Sequence, residues 1–273
     1  MKISIITICK NAEDTLEKTI QSVLAQQYRN IEYIIIDGAS TDKTDALINK
    51  YRDQVATYIS EKDHGIYNAM NKGIKIATGD IVFFLNAGDI FNDEFVVEKV
   101  VNAFSKADIE FLYGDVFIND GISERLVQFN HVDKAFFLDK NLCHQSIFYK
   151  PEVFRRCGYF DEQYSVLADY EWNVRGFLKY RLKPGHIRIP VTKFRLDGIS
   201  TIDDRKLTEI RRQERRRLKK TYFNKLELML FRRFLKKDIH TLNEKDLHKG
   251  KLIYVKLLKF IFRFNLYRKP IEL

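Results

Sequence analysis

Residues Gly79–Asp89, GDIVFFLNAGD, constrain this chain more than any other stretch. The apolar run from Ile81 to Leu85 passes without interruption into a small polar turn that ends in the carboxylate of Asp89. An unbroken run of this kind, bounded by turn residues, predicts a central strand covered on both faces. Polar residues at the carboxyl end of such a strand stand where open α/β sheets bind their ligands. Asp89 is therefore a candidate for facing a metal-bound, phosphate-bearing ligand.

The flanking sequence supports such a sheet. Residues 2–9 (KISIITIC) and 31–36 (IEYIII) are β-branched runs suited to buried strands, and residues 55–60 suggest a shorter one. Between them, Leu16, Ile20, Val23 and Leu24 recur at helical spacing behind a cap at Asn11–Asp14, and Ala46, Leu47 and Tyr51 suggest a second helix. Ile66, Met70, Ile74 and Ala77 mark one face of a third. This alternation predicts a mostly parallel sheet with helices on its faces. Further on, helices are expected over 95–104, from Pro151 and over 168–180. Strands are expected at 109–113, 143–149 and 185–194, with a hairpin around Asn119-Asp120-Gly121.

Charge is unevenly distributed. Of 47 Lys+Arg and 37 Asp+Glu, residues 1–204 hold 25 and 30, leaving 22 and 7 for residues 205–273. The chain is read as a catalytic domain over 1–204 and a basic helical tail over 205–273, with helices at 209–220, 226–235 and 252–264. Such a tail suits an acidic surface, a lipid or a nucleic acid. Three cysteines in no paired spacing predict a reducing compartment without disulfides. No run approaches the length of a membrane span, and the amino terminus MKISIITICKN does not read as a signal peptide, so a cytoplasmic protein is expected.

Each candidate residue has a plainer alternative. Asp37, closing the second strand, either accepts hydrogen bonds from a base or ribose or simply forms a turn. Thr7 and Asn11, ending the first strand, either line the same crevice or serve as turn and cap residues. Asp63-His64-Gly65 precedes a helix whose start can attract phosphate, or is a polar connection. Asn71 on that helix can brace the loops through backbone groups. Asp89 can take a hard cation, which prefers a carboxylate or two together with phosphates, or can close a turn. Asp169 can accept a proton from a hydroxyl or favour a helix start through the macrodipole. His144 and Gln145 either contact sugar or phosphate or are satisfied internally.

As an ordered set these signals are specific. The runs SIITICKNAEDTLEKTIQSVLAQQYRNIEYIIIDGASTDKT, DHGIYNAMNKGIKIATGDIVFFLNAGD, HQSIFYKPEVFRRCGYFDE and ADYEWNVR resemble family 2 glycosyltransferases in the family's order over roughly residues 1–200. The likeness extends to bacterial enzymes of capsule, exopolysaccharide and O-antigen synthesis. The resemblance implies a GT-A (Rossmann-like) fold, a nucleoside diphosphate-sugar donor, a divalent cation (Mg2+ or Mn2+) and an inverting transfer to a glycan or polyprenyl-diphosphate-linked acceptor. It places Thr7, Asn11 and Asp37 at base and ribose, Asp63 in the loop continuing that pocket, Asp89 in the metal-binding DxD motif, and Asp169 at the catalytic base; Asn71, read from its own place on the helix, is counted with the nucleotide-binding candidates. Two departures stand out. The usual D-x-D-D reads Asn86-Ala87-Gly88-Asp89, which leaves one carboxylate, and the usual E-D pair reads Ala168-Asp169.

Two other classes fit less well. A dinucleotide-dependent oxidoreductase predicts G-x-G-x-x-G after the first strand, where the chain has TICKNAEDT without a glycine. A nucleic-acid-binding protein predicts a recognisable readout module in the tail, and none is found, so no nucleic-acid partner is expected. Leu226, Leu230, Phe231 and Phe234, then Leu252, Val255, Leu258 and Phe262, are interspersed with Lys and Arg. That pattern suits an anionic membrane face and a peripheral position on the inner side of the plasma membrane. The alternative is packing on the catalytic domain or on a second subunit in a homo-oligomer.

Overall fold

The computed structural model describes residues 1–119, 122–130, 132–195, 204–230 and 271. Four strands form the parallel half of the sheet: β1 (Ile3–Cys9), β2 (Ile31–Asp37), β3 (Thr57–Ser60) and β4 (Ile81–Phe84). Then come β5 (Ile90–Phe91), β6 (Phe111–Asn119), β7 (Glu124–Val127), β8 (Ile147–Tyr149) and β9 (Pro184–Arg195). The order is β3-β2-β1-β4-β8-β6-β9-β5, with β7 paired to β6. β3, β2, β1 and β4 are parallel neighbours, as are β6 and β9, while β8 runs antiparallel to both β4 and β6. The protein is thus α/β, with a mostly parallel sheet and β8 as the reversed strand in its middle.

The helices are α1 (Leu16–Leu24), α2 (Thr44–Lys50), α3 (Ile66–Ile76), α4 (Val96–Lys106), α5 (Glu152–Cys157), α6 (Ala168–Val174), α7 (Arg205–Tyr222) and α8 (Lys225–Leu230). Strand alternation explains why the apolar runs are continuous, since successive side chains enter opposite layers. Val82 and Phe84 of β4 join Ile6, Ile8, Ile34 and Ile36 in a core with α3, α5 and α6. Ile81, Phe83 and Leu85 join Ile3, Ile5, Tyr33 and Ile35 in a second core with α1, α2 and α4. Phe83 stacks on Phe148 of β8 with centroids 4.0 Å apart, which locks the reversed strand to the parallel half. Gly73 lets α3 press onto β1, because a Cβ there would lie 2.5 Å from Ile6 Cγ2.

Several expectations are corrected locally. The strand expected from residue 143 begins at Ile147, because His144–Ser146 forms a 3-10 turn closed by Ser146 N–H on the Cys143 carbonyl (2.9 Å). The helix expected over 168–180 is α-helical to Val174 and a π-turn from Arg175 to Lys179, where Tyr180 N–H reaches the Arg175 carbonyl at 3.1 Å. Asn11 does not cap α1. It stands at φ 49° and its side chain accepts instead from Thr41 N–H (2.9 Å).

The hairpin forms as β6 and β7, with Asp120 and Gly121 of its expected turn lying outside the described residues, as do residues 231–235 of the helix expected over 226–235 and the whole helix expected over 252–264. α7 belongs to the packed body: Leu218 and Phe223 are buried in the core that holds α6. Among the described residues no helix is long and apolar enough to cross a membrane.

Candidate active site

The carboxyl ends of β1, β2 and β4 build one wall. Past Phe84 the β4 backbone stays in step with β1, Leu85 N–H donating to Ile6 (3.0 Å) and Ala87 N–H to Ile8 (3.1 Å). The chain then turns: Asp89 N–H donates to the Asn86 carbonyl at 3.0 Å, and Gly88 supplies φ 97°, which L-residues rarely adopt. Asn86 and Asp89 are thereby delivered at the strand end, as the run GDIVFFLNAGD suggested. Asp89 is 7% exposed.

Asp37 and Asp63 lie on either side of Gly38, and Asn11 joins Asp37 through Ser40. Asp37 is buried and accepts from Ser40 N–H (3.0 Å), the Ser40 hydroxyl and the Ser60 hydroxyl (2.6 Å). A base or ribose donor would have to share an Asp37 oxygen with these donors. Asn11 N–H donates to Ser40 Oγ at 2.7 Å. Asp63 Oδ2 would lie 2.9 Å from a Cβ at Gly38, and its other oxygen pairs with Lys72 Nζ at 2.7 Å. Glu61 sits 2.7 Å from the same ammonium, and although burial opposes the charge, the two carboxylates push the Lys72 pKa up.

Thr7 stands apart from the crevice. Its hydroxyl is fully buried, donates to the Leu85 carbonyl (2.7 Å) and lies 3.1 Å from Tyr33 Oη. It holds β1 to the end of β4. Asn71 is also buried and acts as a brace, donating to the Phe160 carbonyl (3.0 Å) and Glu162 Oε1 (2.8 Å) and accepting from Phe160 N–H (3.0 Å).

The opposite wall is built around Asp169, in the first turn of α6. Asn141 Nδ2 donates to its Oδ2 at 3.0 Å, and His144 Nδ1 lies 3.6 Å from the same oxygen. Tyr67 Oη on α3 lies 3.1 Å from Oδ1, with the Val166 carbonyl at 2.7 Å competing for its single proton. Burial, then the Asp169 charge, pushes the Tyr67 pKa up, so the phenol stays a donor. Asn173 in turn donates to Asn141 Oδ1 at 2.9 Å and so fixes which face of that amide meets Asp169.

One short turn joins the two walls. Gln145 Nε2 donates to Asp89 Oδ2 at 3.1 Å, while His144, its neighbour in sequence, reaches Asp169. His144 Nε2 also lies 3.0 Å from Asn86 Nδ2. With that amide donating, the imidazole proton sits on Nδ1, toward Asp169. Cys143 is pinned between the walls: burial, then the charges of Asp169 and Asp89, raises its thiol pKa, so it stays protonated. Asn86 Oδ1 is buried and has no partner among the described residues.

Sequence reasoning left His144 and Gln145 open between ligand contact and internal satisfaction, and the structure places them on the two carboxylates. It missed Tyr67 and Asn141. Both lie in segments whose motifs were noticed or passed over without any local signal that they converge on Asp169.

Among the described residues no three His, Cys, Asp or Glu side chains form a group able to hold a metal ion. At the β4 end stand the Asp89 carboxylate, which accepts from Gln145, and the buried Asn86 Oδ1, which has no hydrogen-bond partner among the described residues. That set fits a hard cation held jointly with phosphates, not one caged by protein alone.

Residues 4–196 match Glycosyl transferase family 2. An uncharacterised glycosyltransferase of Mycobacterium tuberculosis is 34% identical over 209 residues, covering 73% of this chain and 77% of the relative. A PGL/p-HBAD biosynthesis glycosyltransferase of Mycobacterium bovis is 29% identical over 195 residues, covering 70% and 75%. The crystal structure of S. aureus TarS 1-349 in complex with UDP-GlcNAc superposes with a TM-score of 0.65 at 14% identity over 93% of this chain and 79% of that one. The mannosyltransferase PcManGT from Pyrobaculum calidifontis, in complex with GDP-Man and Mn2+, has a TM-score of 0.53 at 17% identity over 69% and 55%. These structural likenesses establish the GT-A fold.

Proposed function

The chain belongs to glycosyl transferase family 2 and is a glycosyltransferase, and from that premise we propose that it moves a sugar, with inversion, from a nucleoside diphosphate-sugar to a hydroxyl of a glycan or polyprenyl-diphosphate-linked acceptor in bacterial surface polysaccharide synthesis. The observation that carries this reading is the turn His144–Ser146: Gln145 donates to Asp89 while His144 lies against Asp169, and this supports reading the two carboxylates as the diphosphate-facing group and the base of one site.

The nucleoside lies over the cluster of Asn11, Asp37 and Asp63, whose acidic side chains accept from ribose and base donors. The complexes of TarS with UDP-GlcNAc and of PcManGT with GDP-Man and Mn2+ support a nucleotide-sugar donor and a divalent cation. Asp89, with Asn86 Oδ1, would hold Mg2+ or Mn2+ together with the donor's phosphates. When bound, the cation offsets the charge that grows on the leaving diphosphate. Asp169, oriented by Tyr67, Asn141 and His144, takes the proton of the acceptor hydroxyl as its oxygen attacks the anomeric carbon from the face opposite the diphosphate. One base and one displacement invert that centre.

The test is a thermal-shift screen of UDP- and GDP-sugars with Mg2+ or Mn2+, since ligand affinity appears directly as stabilisation. It is followed by NMR of the product's anomeric configuration. Stabilisation by a nucleotide-sugar and an inverted product are expected; retention of configuration would overturn the single-base mechanism.

The division at residue 204 and a peripheral membrane position belong to the same reading. Arg205, Arg212, Arg216 and Lys220 are exposed and their spacing places them on one helical stripe of α7. Buried Glu214 and Leu218 lie on the opposite side. That stripe suits an anionic lipid surface. Changing all four to Gln is expected to lower co-sedimentation with phosphatidylglycerol vesicles, and equal pelleting would remove the anchor.

A further inference from the structure

The basic helix α7 does more than present charge. Its inner face carries one buried carboxylate, Glu214. Glu214 Oε1 accepts from Ser165 N–H (2.5 Å), and Oε2 accepts from Val166 N–H (3.1 Å) and Leu167 N–H (2.8 Å). Three consecutive amides immediately before α6 are thus held by a side chain 47 to 49 residues away. Asp169 follows two residues after that grip. The same loop supplies the Val166 carbonyl that shares the Tyr67 proton with Asp169.

Other α7 contacts brace the same surroundings. Arg217 donates to Gln163 Oε1 at 2.7 Å and lies over the Tyr164 ring at 4.7 Å. Arg215 donates to the Asp139 carbonyl at 3.2 Å, two residues before Asn141. Tyr222, at the end of α7, donates to Glu171 on α6. α7 therefore reaches both loops that flank Asp169.

We propose that Glu214 is a positioning residue for the transfer, acting through the 165–167 backbone to set the place and direction of Asp169. The inference rests on Asp169 being the base. Its physical logic is that a carboxylate accepting backbone amides fixes a loop with short, strong, charge-assisted bonds. A reacting group displaced by about 1 Å loses on the order of 10²-fold in rate. In the proposed function the donor's nucleoside lies on the other wall, at Asn11, Asp37 and Asp63, away from residues 165–167. The tail thereby becomes part of the machinery that performs the chemistry.

The experiment uses the full chain and four variants: Glu214→Ala, Glu214→Gln, Leu218→Ala and Asp169→Asn. Turnover is followed as nucleoside diphosphate release from a panel of UDP- and GDP-sugars, with water as the default acceptor and saturable glycan acceptors added. Donor affinity is read separately by calorimetry with UDP and GDP, and folding by chemical denaturation. Glu214→Ala is expected to lower kcat by about 10–10²-fold with donor affinity unchanged within about twofold. Glu214→Gln, which keeps one acceptor oxygen for Val166 and Leu167, is expected to recover part of that loss.

Leu218→Ala, a truncation on the same buried face, is expected to lower stability while leaving kcat near wild type well below its melting range. If Leu218→Ala and Glu214→Ala lose kcat equally, or if donor affinity falls in step with kcat, α7 is only structural support and the proposal fails. Full turnover in Glu214→Ala beside an inactive Asp169→Asn overturns the Glu214 role alone. Full turnover in Asp169→Asn overturns the assignment of the base and this inference with it.

Discussion

On the β3-β2-β1-β4 side of the site, Asn11, Asp37 and Asp63 stand close together because each ends or follows a parallel strand, and a shared register brings strand ends together. On the other side, Asp169 is met by Tyr67 from 102 residues away, by Asn141 from 28 residues away, and by His144. The loop before it is held by Glu214 on α7. The first wall is a consequence of strand order. The second is a convergence of separate segments on one carboxylate, and its precision depends on every one of them. Substitutions in the second wall should therefore act on rate, and those in the first and its supports on stability or donor binding.

The largest expected effect breaks the second wall at its centre. Asp169→Asn should lower kcat by about 10²–10⁴-fold with donor affinity little changed, as steady-state kinetics and calorimetry would show; a matching loss of donor affinity would erase the distinction between the walls. Next is the brace between them. Asn71→Leu leaves the Phe160 N–H and carbonyl without their partner, a cost of about 2–4 kcal/mol in chemical denaturation. Gly73→Ala drives a Cβ to 2.5 Å from Ile6 Cγ2, and overpacking of this kind costs about 1–3 kcal/mol. If denaturation shows no loss for Gly73→Ala, α3 has freedom to shift on β1.

The smallest effect lies at the far end of the parallel half, away from the site. Glu32 accepts from Lys2 Nζ (3.0 Å), Ser4 Oγ (2.5 Å), Thr78 N–H (2.8 Å) and Thr78 Oγ1 (2.6 Å). Partial burial opposes ionisation, yet these donors outweigh it and lower the Glu32 pKa to about 2 from 4.5. A carboxylate whose folded pKa is lowered stabilises the fold above its unfolded value, and that contribution disappears as pH falls from about 4.5 toward 2. Glu32→Gln should lower Tm by at most about 3 °C near neutrality and flatten the Tm-against-pH curve in that acid window. An unchanged acid slope would show that other carboxylates govern it.

How much of this was legible in the sequence differs between the walls. Continuous apolar runs at β1, β2 and β4 announced buried parallel strands, and the residues after them announced the crevice. Asp89 and Asp169 could be picked out as candidates because each sits at an element end where a motif has a fixed place. Thr7 looked like a crevice residue because it lies near the end of β1, but strand alternation turns it inward to the Leu85 carbonyl. His144 and Gln145 fell in a stretch that reads as strand; only the packing of β8 against β4 shows that they form a turn with one side chain on each carboxylate.

The sequence by itself determined the α/β alternation, the two-sided strands, the family and the basic character of the chain beyond residue 204, because each is carried by local periodicity, composition or contiguous motif. Tertiary structure decided that α7 is bound into the body, that Glu214 holds the backbone beside Asp169, and that Asn86, left where a carboxylate is usual, turns its amide toward His144. Those are contacts between residues far apart in the chain. A carboxylate on a basic helix reads as one more exposed charge until folding brings three unpaired amides within its reach.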